Sequence, residues 1–334
     1  MLKAARAYPI TKHTTDLRVE WVNEPTPGAG EVLVQVTAAG VTPWDHNVAT
    51  GAMPSARSFP VTLGNEGAGV VITDPAGHWA PGTRVMFLAG AGGMTTDGTM
   101  AEFAVIPEQN LAEIPVNVAD EVAATVPIAY LTAALALRLG GFAPGERVFS
   151  PAIGGSVGNA TVQLARALGA SAVAGSAGST AKAEAVRAAP WAYGIEVVDL
   201  ECDRLPGGLG DGFADGVDVA VDGVGGALTA QIAEALATGG RIVLVGQSGG
   251  GMAHLPIGEI VRRRASLHGF SLAAVTPAQA RLAWSTITDL LIDGRIHPVI
   301  DSIFPLDAAG EALRHLMEDR PIGKVVITDL SRAW

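Results

Sequence analysis

The sequence predicts an α/β chain of two domains: a small barrel or sandwich of short strands, and a doubly wound parallel sheet. Three observations predict it. The length, 334 residues and 34.0 kDa, suits two ordinary domains rather than one small module. Short apolar runs alternate with turn signals in the first third, and from about residue 120 apolar runs alternate with alanine-rich segments of helical period. Glycine is in excess, 42 of 334 residues or about 13% against near 7% in average proteins, with no G-X-Y period. Such an excess means many tight turns or places where backbone approaches something closely.

In the first third the strand-like runs are Glu31–Val36, Ala68–Ile72, Arg84–Phe87 and Ala101–Ile106, separated by turn-rich stretches at 25–30, 74–81 and 88–93. Further on, the pattern places strands at Arg147–Ser150, Ala172–Gly175, Glu196–Asp199, Asp218–Asp222, Arg241–Gly246 and Ser266–Phe270. Helices between them include Val157–Leu168, Ala181–Ala188, Ala227–Ala237 and Ile257–Arg263. Six such strands, wound right-handedly, complete a dinucleotide-binding sheet. After a helix at Pro277–Ile292, the tail Pro298–Leu330 returns to strand-like runs and is expected to rejoin the first domain. The expected division is 1–125 with 273–334, and 126–272 between them.

A formal net charge of -11 repels phosphate backbones and anionic membrane surfaces, which disfavours nucleic acid and membrane as partners. The basic run Arg262-Arg263-Arg264 reads as a solvated helix end. A lone cysteine, Cys202, precludes an intrachain disulfide framework or a multi-thiolate zinc site and fits a reducing cytoplasm. Its acidic neighbours make it a poor nucleophile. Neither a signal peptide nor an apolar stretch of membrane-spanning length is evident, so the chain reads as soluble and cytoplasmic.

The stretch Val148–Ala160, VFSPAIGGSVGNA, carries a strand into a tight glycine turn and then opens a helix. The first N–H groups of that helix are unpaired and suit a pyrophosphate. The turn residues are Ala152, Gly154, Gly155, Ser156, Val157 and Gly158; at Gly155 and Gly158 a side chain is expected to block phosphate or helix–sheet contact. They form A-x-x-G-x-x-G rather than G-x-G-x-x-G, a weak motif alone that gains weight from its place after the first strand of the run. An NAD-type site carries an acid at the end of the second strand, about 20 residues on. Here that region offers Ser176, Ser179, Thr180 and Lys182, and no carboxylate before Glu184. NADPH is therefore favoured, with Ser179 and Lys182 as a hydroxyl and a cation for the 2′-phosphate. The plainer alternative makes Lys182 a solvated helix residue.

Several collinear motifs carry a resemblance: AAGVTPWDHN at 38–47, PVTLGNEGAGVV at 60–71, DGTMAEFAVIP at 97–107, PIAYLTAALAL at 127–137, PAIGGSVGNATVQLARALGA at 151–170, VDVAVDGVGG at 217–226 and IGKVVIT at 322–328. The chain resembles the medium-chain dehydrogenase/reductase superfamily, and within it the zinc-independent quinone oxidoreductase group that includes zeta-crystallin. The resemblance implies a GroES-like β-barrel catalytic domain with an inserted Rossmann domain. Zinc-dependent relatives place a metal-binding Cys where this chain has Thr42 and a His where it has Asn65. No metal site is expected, since the remaining histidines (13, 46, 78, 254, 268, 297 and 315) show no paired helical spacing.

Without a Lewis acid, the expected chemistry is hydride transfer from NADPH to a quinone or an α,β-unsaturated carbonyl. The resemblance and the topology place Thr132, Asp222, Gly223, Val224, Gly246, Gln247 and Ser248 near the nicotinamide end, and the resemblance adds Lys324 of the last motif to the cofactor set. For the substrate, Thr42, Asn47 and Asn65 are candidates to hold an oxygen that gains negative charge. Asp45 is a candidate to orient a hydroxyl or water, with turn-capping as an equal alternative. Tyr130 is a candidate proton donor, with packing as its alternative. An Asp45–His46 dyad is disfavoured, since adjacent residues need not point together. The alternatives for function are an enoyl reductase of a biosynthetic pathway and a catalytically weak NADPH-binding sensor or structural protein. A homodimer is expected through the edge strand at 266–272.

Overall fold

In this computed structural model the described residues are 1–11, 14–52, 59–90 and 92–330. His13, one of the histidines considered above, and Ala91 of the expected turn at 88–93 lie outside them. The chain divides into two units, Met1–Ile128 with Pro298–Trp334, and Ala129–His297.

The first unit carries strands Leu2–Thr11 (β1), Thr14–Val22 (β2), Glu31–Val41 (β3), Val61–Thr62 (β4), Glu66–Thr73 (β5), Arg84–Leu88 (β6), Phe103–Pro107 (β7) and Leu111–Glu113 (β8). Helix Pro43–Ala49 (α1) follows β3, and the short helix Asp120–Ala123 (α2) follows β8. Val34, Val36, Val71, Val85, Phe87 and Ile106 are fully buried in one core. The valine-rich runs thus form strands because one face of each has a core to enter. The antiparallel pair β1–β2 was missed by the apolar-run pattern, whereas β3, β5, β6 and β7 fall where it put strands, with shifted ends.

The second unit follows the βαβ reading closely. Helix Pro127–Leu139 (α3) leads in from the first unit, and Arg147–Ser150 (β9), Ala172–Ala177 (β10), Glu196–Asp199 (β11) and Val217–Asp222 (β12) alternate with helices Ser156–Ala167 (α4), Thr180–Ala188 (α5) and Leu205–Gly208 (α6). Helix Gly226–Ala235 (α7), strand Leu236–Leu244 (β13), helix Ile257–Arg263 (α8), strand Ser266–Gly269 (β14) and helix Pro277–Ile292 (α9) complete the unit. The sheet order is β11-β10-β9-β12-β13-β14, with every pairing parallel. This is the doubly wound order whose switch point lies beside the first strand. Strands β9, β10 and β12 are buried almost throughout, as expected for a sheet covered on both faces.

Two details differ from the sequence reading. Strand β13 begins at Leu236 and ends at Leu244, so α7 is shorter than expected and Gly246 lies beyond the strand. Helix α9 falls within the second unit rather than the first, putting the return boundary at 298 instead of 273. The reason is its apolar stripe, with Ala283, Trp284, Ile287, Leu290 and Leu291 buried. Its Leu282, Ala283 and Thr286 share with Ala134, Leu135 and Arg138 of α3 the lining of a cavity of about 300 Å³.

The first unit is completed by strand Ile300–Pro305 (β15), helix Ala309–Glu318 (α10) and strand Lys324–Thr328 (β16). Strand β16 pairs antiparallel with β3, with Val325 opposite Val41 and Ile327 opposite Ala39. No helix among the described residues is long and apolar enough to cross a membrane.

Glycine earns its place most clearly at Gly158, where a Cβ would lie 2.5 Å from the Ala152 oxygen and 2.6 Å from the Pro151 oxygen. Gly158→Ala is expected to lower stability by about 1–3 kcal/mol through forced displacement of the turn. Gly258→Ala, in α8 where a Cβ meets nothing within 4 Å, is expected to be neutral or stabilising by up to about 1 kcal/mol. Chemical denaturation of the two variants checks the contrast.

Candidate functional site

The turn between β9 and α4 is built from both sides. Ser150 ends β9 and donates its hydroxyl to the Val221 oxygen at 2.8 Å, joining the first and fourth strands of the nucleotide sheet. Ala152 adopts a left-handed conformation (φ 51°), and the Gly155 N–H returns to its carbonyl at 2.7 Å. Gly155 is the N-cap of α4, so the N–H groups of Ser156, Val157 and Gly158 open the helix without intrahelical partners. A Cβ at Gly155 would come no closer than 3.2 Å to its neighbours, so the demand for glycine is weaker there than at Gly158. Ile153 tucks over Gly175 of β10, where a Cβ would lie 2.7 Å from it, and its N–H donates to the Ser176 carbonyl at 2.9 Å. Gly154 stays half-buried in the turn. A cradle of open N–H groups held this closely fits a pyrophosphate.

At the end of β10 the Ser176 hydroxyl is buried, 1% exposed, and has no partner among the described residues. Ser179 is the N-cap of α5 and accepts from the Lys182 N–H at 3.4 Å, while Lys182 stands half-buried in the first turn. Carboxylates do reach this corner, from the strand next door. Glu201 Oε2 accepts from the Thr180 N–H at 2.8 Å, and the Thr180 hydroxyl holds the Asp199 carboxyl below the usual carboxylate range. Sequence reasoning inspected only the second strand for an acid and missed both.

Strands β12 and β13 end side by side. Gly223 accepts from the Ser248 N–H at 3.4 Å and from its hydroxyl at 3.2 Å, and the Gly249 N–H donates to Val224 at 2.7 Å. A Cβ on Gly246 would lie 2.7 Å from the Gly223 oxygen. The backbone of Gly223, Val224, Gly246, Gln247 and Ser248 is thus brought together at the carboxyl end of the sheet, as expected. Asp222 is different: fully buried, it accepts from Val224 N–H at 2.8 Å, Gly225 N–H at 3.0 Å and the Thr229 hydroxyl at 2.6 Å. Its oxygens hold the loop, so a direct cofactor contact is corrected to a supporting role.

In α3, Thr132 is 6% exposed and Tyr130 is 2% exposed. Burial pushes the Tyr130 phenol far above its ordinary range, and its oxygen accepts from Gln163 Nε2 at 3.4 Å. A phenol held so firmly protonated is a poor acid, which corrects the proton-donor reading in favour of packing. Gln163, fully buried on α4, also donates to Asn159 Oδ1 at 2.7 Å and exchanges two hydrogen bonds with the His297 backbone.

In the first unit, Thr42 and Asp45 form a capping box at the start of α1. Asp45 Oδ2 accepts from the Thr42 N–H at 2.8 Å and its hydroxyl at 2.7 Å, and Oδ1 accepts from the Gly64 N–H at 2.9 Å. The capping alternative therefore holds for Asp45, and the Thr42 hydroxyl proton is committed to it. Burial pushes the Asp45 carboxyl up to about 6, against those three hydrogen bonds, with the nearby Glu66 adding to the rise. His46 has its pKa lowered by burial, and Asp45 spends its oxygens elsewhere, so the two form no dyad. Asn47 is half-buried on α1. Asn65 is 8% exposed and its Oδ1 lacks a partner among the described residues, which leaves a buried acceptor open to a ligand.

Lys324 is corrected outright. Its ammonium, 3% exposed, pairs with the fully buried Glu66, whose other oxygen accepts from the Ile128 N–H at 2.8 Å. It serves the barrel unit and has no charge to spare for a cofactor. Among the described residues no three His, Cys, Asp or Glu side chains converge as a metal-holding group.

Comparison with known proteins follows the same two-part pattern. Residues 28–116 match the alcohol dehydrogenase GroES-like domain family, and residues 196–327 match the zinc-binding dehydrogenase family. The chain is 33% identical over 307 residues to the polyketide synthase GfsB of Streptomyces halstedii, an alignment covering 90% of this chain and only 5% of that synthase. It is 30% identical over 307 residues to the quinone oxidoreductase-like protein 2 of Bos taurus, covering 89% of this chain and 85% of the relative. A solved NAD-dependent alcohol dehydrogenase is 30% identical, with a TM-score of 0.81, over 98% of this chain and 99% of that one.

The Asp45 carboxyl yields a pH prediction. Its folded-state pKa of about 6 lies above the ordinary 3.8, so its stabilising contribution is full below the unfolded pKa and is lost as pH rises through about 6. Relative to Asp45→Asn, the unaltered protein is expected to lose about 2 kcal/mol between pH 4 and pH 7, from about 1.4 kcal/mol per pKa unit. Urea midpoints at intervals across that range check it; parallel curves for the two proteins would contradict it.

Proposed function

We propose, from the premise that this chain belongs to the medium-chain dehydrogenase/reductase superfamily, that it transfers hydride from NADPH to a quinone or to the β-carbon of an α,β-unsaturated carbonyl, without a zinc ion. The observation that carries the dinucleotide half is the close cradle at Gly158, with open helical N–H groups, on the first strand of the 3-2-1-4-5-6 sheet. Reduced nicotinamide supplies the hydride when bound. The paired ends of β12 and β13 present backbone groups to orient it, and the buried Ser176 hydroxyl offers a hydrogen bond at the far end. Ser179 and Lys182 in the first turn of α5 support the 2′-phosphate form.

For the acceptor, the observation is Asn65. It stands where zinc-dependent relatives carry a histidine, buried and with an amide oxygen that has no partner among the described residues. As a donor, the Asn65 Nδ2 can hold an oxygen that gains charge during reduction, with Asn47 of α1 as a second candidate, while the open Oδ1 can accept from a ligand hydroxyl. Thr42, the other position that ligates zinc in relatives, is occupied in capping. With Tyr130 locked in its phenol form, the proton comes from solvent rather than from a dedicated acid. A second reading, an enoyl reductase acting on a carrier-bound enone, draws on the 33% identity to the polyketide synthase. Strand β14, which among the described residues pairs only with β13 at the sheet edge, supports a homodimer, and the exposed thiol of Cys202 a reducing compartment.

NADPH oxidation should be seen with members of a quinone and enone panel, and should persist in the presence of a chelator. Absence of turnover across the panel, with NADPH binding intact, would replace this reading by that of a binding protein. Lys182→Ala should weaken NADPH by about 1.5–3 kcal/mol and leave NADH nearly unchanged, if the ammonium makes a charge-assisted bond to phosphate. Equal losses for both cofactors would remove Lys182 from that role.

A further inference from the structure

The corner where α5 begins holds both signs of charge, and only one of them was visible along β10. Parallel pairing sets Ala177 beside Asp199, and the Leu200 N–H donates back to the Ala177 carbonyl at 3.0 Å. The chain leaving β11 therefore lies against the end of β10. The Glu201 N–H donates to Asp199 Oδ1 at 3.0 Å, which turns the following side chain toward the helix, and Glu201 Oε2 takes the Thr180 N–H at 2.8 Å. Thr180 is the first residue of α5, so this carboxylate sits on one of the unpaired donors at the positive end of a nine-residue helix. On β10, one residue before Ala177, the Ser176 hydroxyl is 1% exposed and without a partner among the described residues, as a residue left for a ligand would be.

We infer that Glu201 is a specificity-determining residue: it occupies the anion position at the N-terminus of α5 and competes there with the 2′-phosphate of NADPH. The inference rests on the dinucleotide reading above. A 2′-phosphate needs the same N–H donor and the same positive potential that Glu201 takes, and meets the charge of Asp199 behind it. A ribose 2′-hydroxyl, by contrast, can donate to either carboxylate. Lys182 and Glu201 thus pull selectivity in opposite directions from the same helix turn. Glu201 is exposed, so removing its charge leaves the fold intact.

The test is the dissociation constant of NADPH and of NADH, measured by fluorescence titration on the full chain and on Glu201→Gln, with thermal unfolding as a check on folding. Glu201→Gln should bind NADPH about tenfold more tightly and NADH within twofold of the unaltered protein. An unchanged ratio of the two constants in a folded variant would overturn the role of Glu201 while leaving the dinucleotide reading in place. Failure of the unaltered protein to bind either dinucleotide would overturn that reading and this inference with it.

Discussion

The barrel unit is made of two stretches of chain separated by the whole dinucleotide unit, and the buried pair of Glu66 and Lys324 joins them. Glu66 sits on β5, Lys324 opens β16, and the second oxygen of Glu66 holds the Ile128 N–H where the first stretch ends. One carboxylate therefore touches both the last residue before the insertion and the strand that returns after it. The site is shaped to admit it: a Cβ at Gly40 would lie 2.6 Å from Glu66 Oε1 and 2.9 Å from the Ala124 oxygen. Taking two charges out of water is costly, and their attraction in a poorly polarisable interior offsets that cost only while both are present. Loss of either partner leaves an uncompensated buried charge, while the apolar register of β16 against β3 supplies the rest of the closure.

The same division of labour runs through both units. Asp45, Asp222 and Gln163 carry reactive-looking side chains, yet each is buried and spends its hydrogen bonds on nearby backbone or on a second structural side chain. Asp45 fixes the start of α1 against Gly64, Asp222 fixes the loop after β12, and Gln163 holds the backbone at His297. What is left to meet a ligand is mostly backbone: the open N–H groups of α4 and the paired ends of β12 and β13. This accounts for glycines such as Gly158 and Gly246, where backbone packs too closely for a Cβ, while others such as Gly30, Gly77 and Gly145 serve turns with positive φ.

Much of the dinucleotide unit was legible in the sequence, because a strand buried on both faces followed by an alanine-rich helix gives a pattern that local residues alone determine. Arg147–Ser150, Glu196–Asp199, Ile257–Arg263 and Pro277–Ile292 fall where the pattern placed them. The β1–β2 hairpin was not legible, since its alanines, charges and Pro9 give no clean alternation, and pairing along its length stabilises it instead. The errors at the site share one cause. Lys324, Asp222 and Tyr130 were assigned by position, but their partners, Glu66, Thr229 and Gln163, are chosen by tertiary packing that no local spacing reveals. Glu201 escaped for the same reason: it reaches α5 from a neighbouring strand.

The most direct test of this account is a double-mutant cycle on the buried pair, read as unfolding free energy for Lys324→Met, Glu66→Gln and the two combined. Lys324→Met alone should cost about 3–5 kcal/mol, because the Glu66 charge is then left buried and alone, and the combination should recover most of that loss. Additive losses, or a Lys324→Met protein of unchanged stability that binds dinucleotide more weakly, would contradict it.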